Sequence, residues 1–365
     1  MRGTRLEINL NALKNNLHQI QQLVTPNTQT IAIVKADSYG LGSVQVSRTI
    51  EKDVWGFGVA TLEEAIELRV SGIKKPVIML SPFFESEIQE IITHDITPTL
   101  TDIKRAELLN KLAQQANKKI KAHIKIDTGM GRIGLPYDSC INEIANICML
   151  KNVKIQGLFT HFPSADLLDD EFCSEQINRF KNFYHALEEK SIQIPLKHIA
   201  NSSALVAYPE SRLDAVRPGI LLYGTYPSDA IKELITVENV ATFKAKIIFL
   251  KYVSEGETVS YGRTFTCQRK TLVAVIGAGY ADGFSTLHSS KAFVYTRGRF
   301  APVLGRVCMD YTMIDVTGID GIQEGDDVIL YGDGGEEIDY YSSKIGIIPY
   351  EALTGVSKRV PRVYV

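Results

Sequence analysis

The run I-A-I-V-K-A-D-S-Y-G-L-G occupies Ile31 to Gly42. Its four leading apolar residues, Ile31, Ala32, Ile33 and Val34, fit a short strand buried on both faces. The strand stops abruptly at Lys35, and a loop with Tyr39, Gly40 and Gly42 follows. A lysine ending a core strand contributes little to packing. Where parallel strands open into a cleft, such a residue meets a ligand. Taken alone, Lys35 also fits an ordinary solvated loop lysine, so the flanking chain has to decide.

Outward from that run, the pattern repeats. Upstream, Leu13, Leu17, Ile20 and Val24 share one helical face. Downstream, Trp55 to Val59 is a second apolar run, and Thr61-Leu62-Glu63-Glu64 is a capping box. That helix is expected to turn Leu62, Ala65, Ile66 and Val70 inward. Further strands are expected at Val77 to Leu80, Thr97 to Leu100, Ala122 to Ile126, Ile155 to Phe159, Lys197 to Ala200 and Ala215 to Arg217. Helices with Ala106, Leu109, Ala113 and Ala116, and with Ile177, Phe180, Tyr184 and Leu187, as inner faces separate some of them. Eight strands alternating with helices predict a closed (β/α)8 barrel. An open doubly wound sheet is the competing architecture, but the G-x-G-x-x-G loop it often carries is absent.

After about residue 230 helical periodicity nearly disappears. Lys244 to Val253, Thr271 to Ile276, Ala292 to Thr296, Pro302 to Val307, Tyr311 to Val316 and Asp327 to Leu330 read as strands between Gly and Asp turns. The expected organisation is an α/β barrel domain over residues 1–230 and a mostly β C-terminal domain over 231–365.

Composition limits the function classes. With 365 residues, 45% of them hydrophobic, the chain can bury a large core. Forty basic against 42 acidic residues, a net charge of −2, give no reason to expect nucleic acid or an anionic membrane as partner. No apolar run approaches a membrane span, and M-R-G-T-R-L-E-I-N-L has no signal-peptide core. Cys140, Cys148, Cys173, Cys267 and Cys308 are odd in number and lack metal-ligand spacing. A reduced, cytoplasmic enzyme without a metal is the expectation.

In a barrel, function lies at the C-terminal strand ends. Here those ends carry Lys35, Lys125, Asp127, Thr160-His161, His198, Asn201-Ser202-Ser203 and Arg217-Pro218-Gly219-Ile220. The last two loops offer hydroxyls and the Gly219 and Ile220 N–H groups, a way to hold phosphate without lysine. An ordinary pair of polar loops remains the plain alternative. A phosphate site plus a strand-end lysine suggests pyridoxal 5'-phosphate, with Lys35 forming a Schiff base. Arg217 is then the best candidate to face the pyridine nitrogen. Two unit charges about 4 Å apart at an effective dielectric of 20 repel by about 4 kcal/mol, which keeps that nitrogen unprotonated. Such a site favours brief proton removal and return over transamination.

The same residues resemble those of alanine racemases nearly end to end. The matches are V-K-A-D-S-Y-G-L-G, K-I-D-T-G-M-G-R-I-G (125–134), T-H-F (160–162), H-I-A-N-S (198–202), V-R-P-G-I-L-L-Y-G (216–224), V-S-Y-G-R-T-F (259–265), G-Y-A-D-G (279–283), G-R-V-C-M-D (305–310) and P-Y-E (349–351). Ser38 and Leu41 depart from the family's usual alanine and histidine.

The resemblance implies a role for each matched position. Lys35 carries the cofactor; Tyr39, Asn201, Ser202, Tyr350 and the Gly219 and Ile220 backbone hold it; Arg217 faces the pyridine. Arg132 and the Met309 N–H contact the substrate carboxylate, and Lys125 matches a lysine often carbamylated, with unmodified lysine as the other possibility. Lys35 and Tyr261 become the two bases on opposite faces, with Tyr261 and Met309 coming from the second subunit of a homodimer. His161 links Arg217 to Tyr261, and His198 extends the network, although both histidines also fit a satisfied core. Asp310, Tyr280 and Asp166 are supporting or entrance positions, and the arginine usual after G-Y-A-D-G-[YF]-P is missing. D-alanine supply for peptidoglycan is the implied role. A racemase acting on serine or another amino acid, a related decarboxylase and a non-catalytic cofactor-binding protein are the rivals.

Overall fold

The computed structural model describes residues 3–365; Met1 and Arg2, part of the N-terminal run read above, lie outside the described residues. The sequence reading has no strand before residue 31, yet β1 (Arg5–Ile8) is there. Leu6 and Ile8 are buried while Arg5 and Glu7 alternate outward, so it is a half-buried strand. It pairs antiparallel with Ala241–Val253 and parallel with Arg362–Tyr364, joining the second sheet and not the barrel.

Helix α1 (Leu10–Gln22) starts at Asn9, whose side chain accepts from the Asn11 and Ala12 N–H groups, and buries Leu13, Leu17 and Ile20. Then come β2 (Gln29–Ile33), β3 (Gly56–Val59), β4 (Val77–Met79), β5 (Thr97–Leu100) and β6 (Ile120–Asp127). A two-residue pairing, β7 (Leu135–Pro136), leads to β8 (Val153–Phe159), β9 (Leu196–His198) and β10 (Ala215–Val216). The sheet runs β10-β2-β3-β4-β5-β6-β8-β9, all parallel, with β7 added at β6. Backbone bonds from Asp214 N–H to Lys197 O (3.0 Å) and Arg217 N–H to Ala200 O (2.9 Å) tie β10 to β9 and all but close the ring. This is the expected barrel.

Ile31, Ala32 and Val34 are fully buried, as a strand covered on both faces requires. Truncating Ile31 to alanine is expected to cost about 2–5 kcal/mol. The capping box forms: Thr61 Oγ1 accepts from Glu64 N–H (3.4 Å), and Glu64 accepts from Thr61 N–H (3.3 Å). The inward face of that helix is corrected. Leu62, Ala65 and Leu68 are buried, whereas Val70 is 74% exposed, because at about 100° per residue it lies well round the helix from the Leu62–Ala65–Leu68 stripe.

In the C-terminal domain the strand expected at 302–307 falls instead at Arg299–Pro302. The tight Arg297-Gly298 turn pairs it with Phe293–Thr296, so pairing begins at the turn and is spent by Pro302. The other β segments lie where expected, around the long bent strand Ala241–Val253. The C-terminal stretch returns to the barrel mouth: Arg362 Nε donates to Gly40 O (2.9 Å) and Tyr364 Oη to Leu41 O (3.1 Å). Gly40 has no room for a Cβ, which would stand 2.7 Å from Leu353 O. Helix Pro349–Thr354 is thereby set against the Lys35 loop.

Candidate active site

The run after Val34 does something its composition conceals. Ala36, Asp37, Ser38 and Tyr39 all take left-handed backbone angles, with φ between 51° and 58°. None is glycine, and each such residue costs about 1–2 kcal/mol. Hydrogen bonds to the turn offset this. Ala36 N–H donates to the capping Glu64 (2.6 Å), Ser38 N–H to Val34 O (2.9 Å) and Ser43 N–H to Asp37 (2.7 Å). The turn places Lys35 at the rim and drives Tyr39 inward between Tyr223 and Tyr350, at ring distances of 4.9 and 5.8 Å.

Below that rim lies a cavity of about 340 Å³. It brings together Lys35, Tyr39, Lys125, Arg132, His161, Asn201, Ser202, Arg217, Gly219, Ile220 and Tyr350. His198 stands behind Arg217, fully buried. Tyr261, Tyr280, Met309 and Asp310 lie on the second domain and do not line this cavity. Tyr261 is 71% exposed, on a turn where Ser260 and Arg263 also take positive φ. Asp310 pairs with Arg359 (2.8 Å), which also holds the buried Asp282 (2.7 Å).

At one end of the cavity Asn201 caps the helix Ser202–Ala207, accepting from Ala204 N–H (2.9 Å). Ser202 Oγ accepts from Gly219 N–H (2.8 Å), which leaves its own hydroxyl proton to donate elsewhere. A Cβ on Gly219 would stand 2.6 Å from Tyr39 Oη, so only glycine lets this backbone come so close. Burial first, then the other tyrosines, raise the Tyr39 phenol well above its usual pKa, and burial and Asp166 do the same for Tyr350. Both are neutral donors at physiological pH.

At the other end Arg217 is 4% exposed with no carboxylate against it. Its Nη1 donates to His198 O (2.6 Å) and His198 Nδ1 (2.9 Å), and its Nη2 to Thr160 O (2.8 Å) and Ile199 O (3.0 Å), with His161 Nδ1 a longer, shared contact of Nη2 at 3.4 Å. Burial pushes its pKa down to about 9, still protonated at neutral pH. Among the described residues its Nε–H has no protein partner. Because a guanidinium only donates, His161 Nδ1 must accept, which leaves the His161 proton on Nε2. Burial, followed by Arg217 and the other cations, holds His161 well below the usual imidazole pKa.

Between the two ends, positive charge gathers. Burial, then Arg132, lowers the Lys35 pKa, which favours the free amine that carbonyl chemistry requires. Lys125, 5% exposed, lies over the Phe159 ring and is pushed down to about 8 by burial, then Arg217 and Arg132. Burial alone would raise Asp127, but N–H bonds from Gly129 (2.9 Å), Gly131 (3.1 Å) and Arg132 (3.1 Å) outweigh it. That carboxylate folds the loop that presents Arg132.

Two features escaped the sequence reading. Phe159 ends β8, lines the cavity and stacks on His198 at 4.8 Å and 8°. His123, in β6, is fully buried beside His198, with Nδ1 2.9 Å from His198 Nε2. In the sequence it is embedded in an apolar run, although its two-residue spacing from Lys125 puts both on one strand face.

The comparisons agree along the whole chain. Residues 8–227 match the alanine racemase N-terminal domain family and 240–364 the C-terminal domain family. The chain belongs to the alanine racemase family. Among curated relatives, alanine racemase 1 of Caldanaerobacter subterraneus is 40% identical over 369 residues, covering 100% of this chain and 95% of that one. Alanine racemase of Methanococcus maripaludis is 41% identical, covering 98% and 97%. The solved alanine racemase of Clostridium difficile superposes with a TM-score of 0.96 at 36% identity, covering 100% of this chain and 96% of that one. The protein is an enzyme of this family, and among the described residues no helix is long and apolar enough to cross a membrane.

Burial is the first cause holding His123 at about 3, His288 at about 4, and His161 and His198 well below normal. Unfolding lets each take a proton near pH 6.5. Stability should therefore be full above about pH 6.5 and fall below it by about 1.4 kcal/mol per pH unit for each such histidine. Urea midpoints at pH 7 and pH 5 measure this; equal midpoints would contradict the neutral assignment.

Proposed function

We propose that the protein interconverts L- and D-alanine with pyridoxal 5'-phosphate, Lys35 and Tyr261 acting as the two bases. The observation that carries this reading is the pairing of Lys35 at the cavity rim with Arg217, not a carboxylate, at its far end. The donor set fits the cofactor. Neutral hydroxyls from Ser202, Tyr39 and Tyr350 and the Ile220 N–H would hold phosphate, and the Gly219 N–H, which donates to Ser202 Oγ, would have to leave it to join them. The Arg217 Nε–H would face the pyridine nitrogen. Bound there, the cofactor supplies an electron sink that weakens the α C–H bond of an amino acid.

The residues do the rest. Arg132 holds the substrate carboxylate. Lys35 takes or returns the α-proton on one face, and Tyr261 acts on the other. The His161 Nε2–H is oriented by Arg217 to hydrogen-bond the phenolic oxygen and favour its deprotonated form. The barrel, from α1 to about residue 230, would be the cofactor domain, and the β domain, to which β1 also pairs, would carry Tyr261 and Met309 into the partner's site. Exposure of both side chains, 71% and 52%, supports their meeting a second chain of a homodimer. Tyr350 at the cavity wall crowds the space beyond the β-carbon and favours alanine over serine. Supply of D-alanine for peptidoglycan in the cytoplasm completes this reading.

Cofactor absorbance of the purified protein, followed by formation of D-alanine from L-alanine, tests it. Bound cofactor without D-alanine would favour a binding protein, and faster turnover of serine would move the substrate.

With its pKa at about 8, Lys125 presents free amine at mildly alkaline pH, and the amine adds carbon dioxide with loss of one proton. The carbamate oxygens would then face Arg132. With isotopically labelled bicarbonate, a carbamate resonance should grow as pH rises through about 8 and be absent in Lys125→Arg. No resonance in the native protein would leave Lys125 unmodified.

A further inference from the structure

Arg217, His198 and His123 form an ordered line running away from the cavity through the barrel. Arg217 donates to His198 Nδ1 at 2.9 Å, and His198 Nε2 lies 2.9 Å from His123 Nδ1. Both histidines are fully buried. A guanidinium has no acceptor, so His198 Nδ1 must be unprotonated and its proton must sit on Nε2. That N–H needs an acceptor, which makes His123 Nδ1 unprotonated in turn and places the His123 proton on Nε2. His123 Nε2 is enclosed and, among the described residues, has no hydrogen-bond partner.

That unpaired donor is the notable point. A buried N–H without a partner is unfavourable, and an aliphatic residue at position 123 would avoid it. The fold is nonetheless shaped for an imidazole. A Cβ on Gly157 of β8 would lie 2.4 Å from His123 Nδ1, and Trp55 packs against the ring at 6.2 Å. Without the His123 acceptor, His198 would have a buried Nε2–H unsatisfied, or would move its proton to Nδ1 and oppose Arg217.

We propose that His123 is a positioning residue: by accepting from His198 it fixes the His198 tautomer, and so holds the Arg217 guanidinium with its Nε–H turned to the cavity. His123 does not reach the reacting atoms. It acts through two hydrogen bonds, and its effect on turnover rests on the reading that Arg217 faces the cofactor nitrogen.

Proton–nitrogen NMR of the histidine side chains in cofactor-free protein tests the line itself. In the native chain His198 should be protonated on Nε2 alone, with a coupling across the hydrogen bond to His123 Nδ1. His123→Leu should remove the coupling and shift the His198 tautomer. His123→Asn, whose amide oxygen can replace Nδ1 as acceptor, should restore the tautomer. In the loaded enzyme His123→Leu should lower kcat about 10–100-fold with KM for alanine within about twofold, and His123→Asn should recover most of it. A merely structural role predicts equal losses in both variants, matched by their melting temperatures. A native His198 protonated on Nδ1, an unchanged tautomer in His123→Leu, or a kcat that ignores the tautomer would each overturn the proposal. Failure of the parent reading looks different: the native protein would then bind no cofactor, while the NMR line of evidence still stands or falls by itself.

Discussion

Lys35→Ala and Tyr261→Phe chains should each be inactive alone, and mixing them should return about a quarter of native activity. Loss of a general base costs about 10²–10⁴-fold, and Lys35→Ala would also remove the proposed covalent anchor. The recovery follows from geometry. Tyr261 is 71% exposed and does not line the cavity of its own chain, so each complete site would need two subunits. Random exchange makes about half of the dimers mixed, and in each of those one of two sites holds both native bases. The other site holds neither. If both bases belonged to one chain, every site in every mixture would lack one of them, and activity would stay at background. Mass spectrometry showing exchanged subunits without activity would therefore sink the shared-site reading.

The barrel was legible because buried parallel strands read as short apolar runs, and all eight runs fell on observed strands. The Lys35 loop was legible in its residues but not in its shape. A-D-S-Y contains no glycine, so nothing in the sequence marks four successive left-handed residues; long-range bonds from Glu64 and the C-terminal segment hold them. β1 has a readable alternation, but its partners are more than 230 residues away, and four residues alone carry little signal. Val70 failed because five residues on from Ala65 is about 140° past a full turn, which takes the side chain off the inward face. Arg217 could be chosen from its position at a strand end. The chain of histidines behind it could not, because pairing between β6, β8 and β9 brings His123 to His198, and register is a property of the folded sheet.

Arg217→Gln is expected to change what the enzyme makes as well as how fast it works. The guanidinium serves three backbone carbonyls and two imidazoles, and glutamine has two donors for them. Unsatisfied carbonyls should lower stability by about 2–5 kcal/mol, visible as a lower melting temperature in an otherwise folded protein. The chemical effect is separable from that loss. With Arg217 facing the pyridine nitrogen as proposed, a charge about 4 Å away would contribute about 4 kcal/mol at an effective dielectric of 20, close to 3 pKa units, and the glutamine would remove it. Without the guanidinium, the site would no longer hold a bound pyridine unprotonated, and the stronger electron sink that the cofactor would then supply favours transamination over brief proton removal and return. Racemisation should slow about 10²–10³-fold, while pyruvate, the keto acid of alanine, becomes detectable as transamination competes. Arg217→Lys keeps a cation with fewer donors; it should be slow and unstable but form no keto acid. Because both variants disturb the same hydrogen bonds, only charge separates their products. A glutamine variant that racemised at the native rate and made no pyruvate would show that Arg217 does not control the cofactor's electronics.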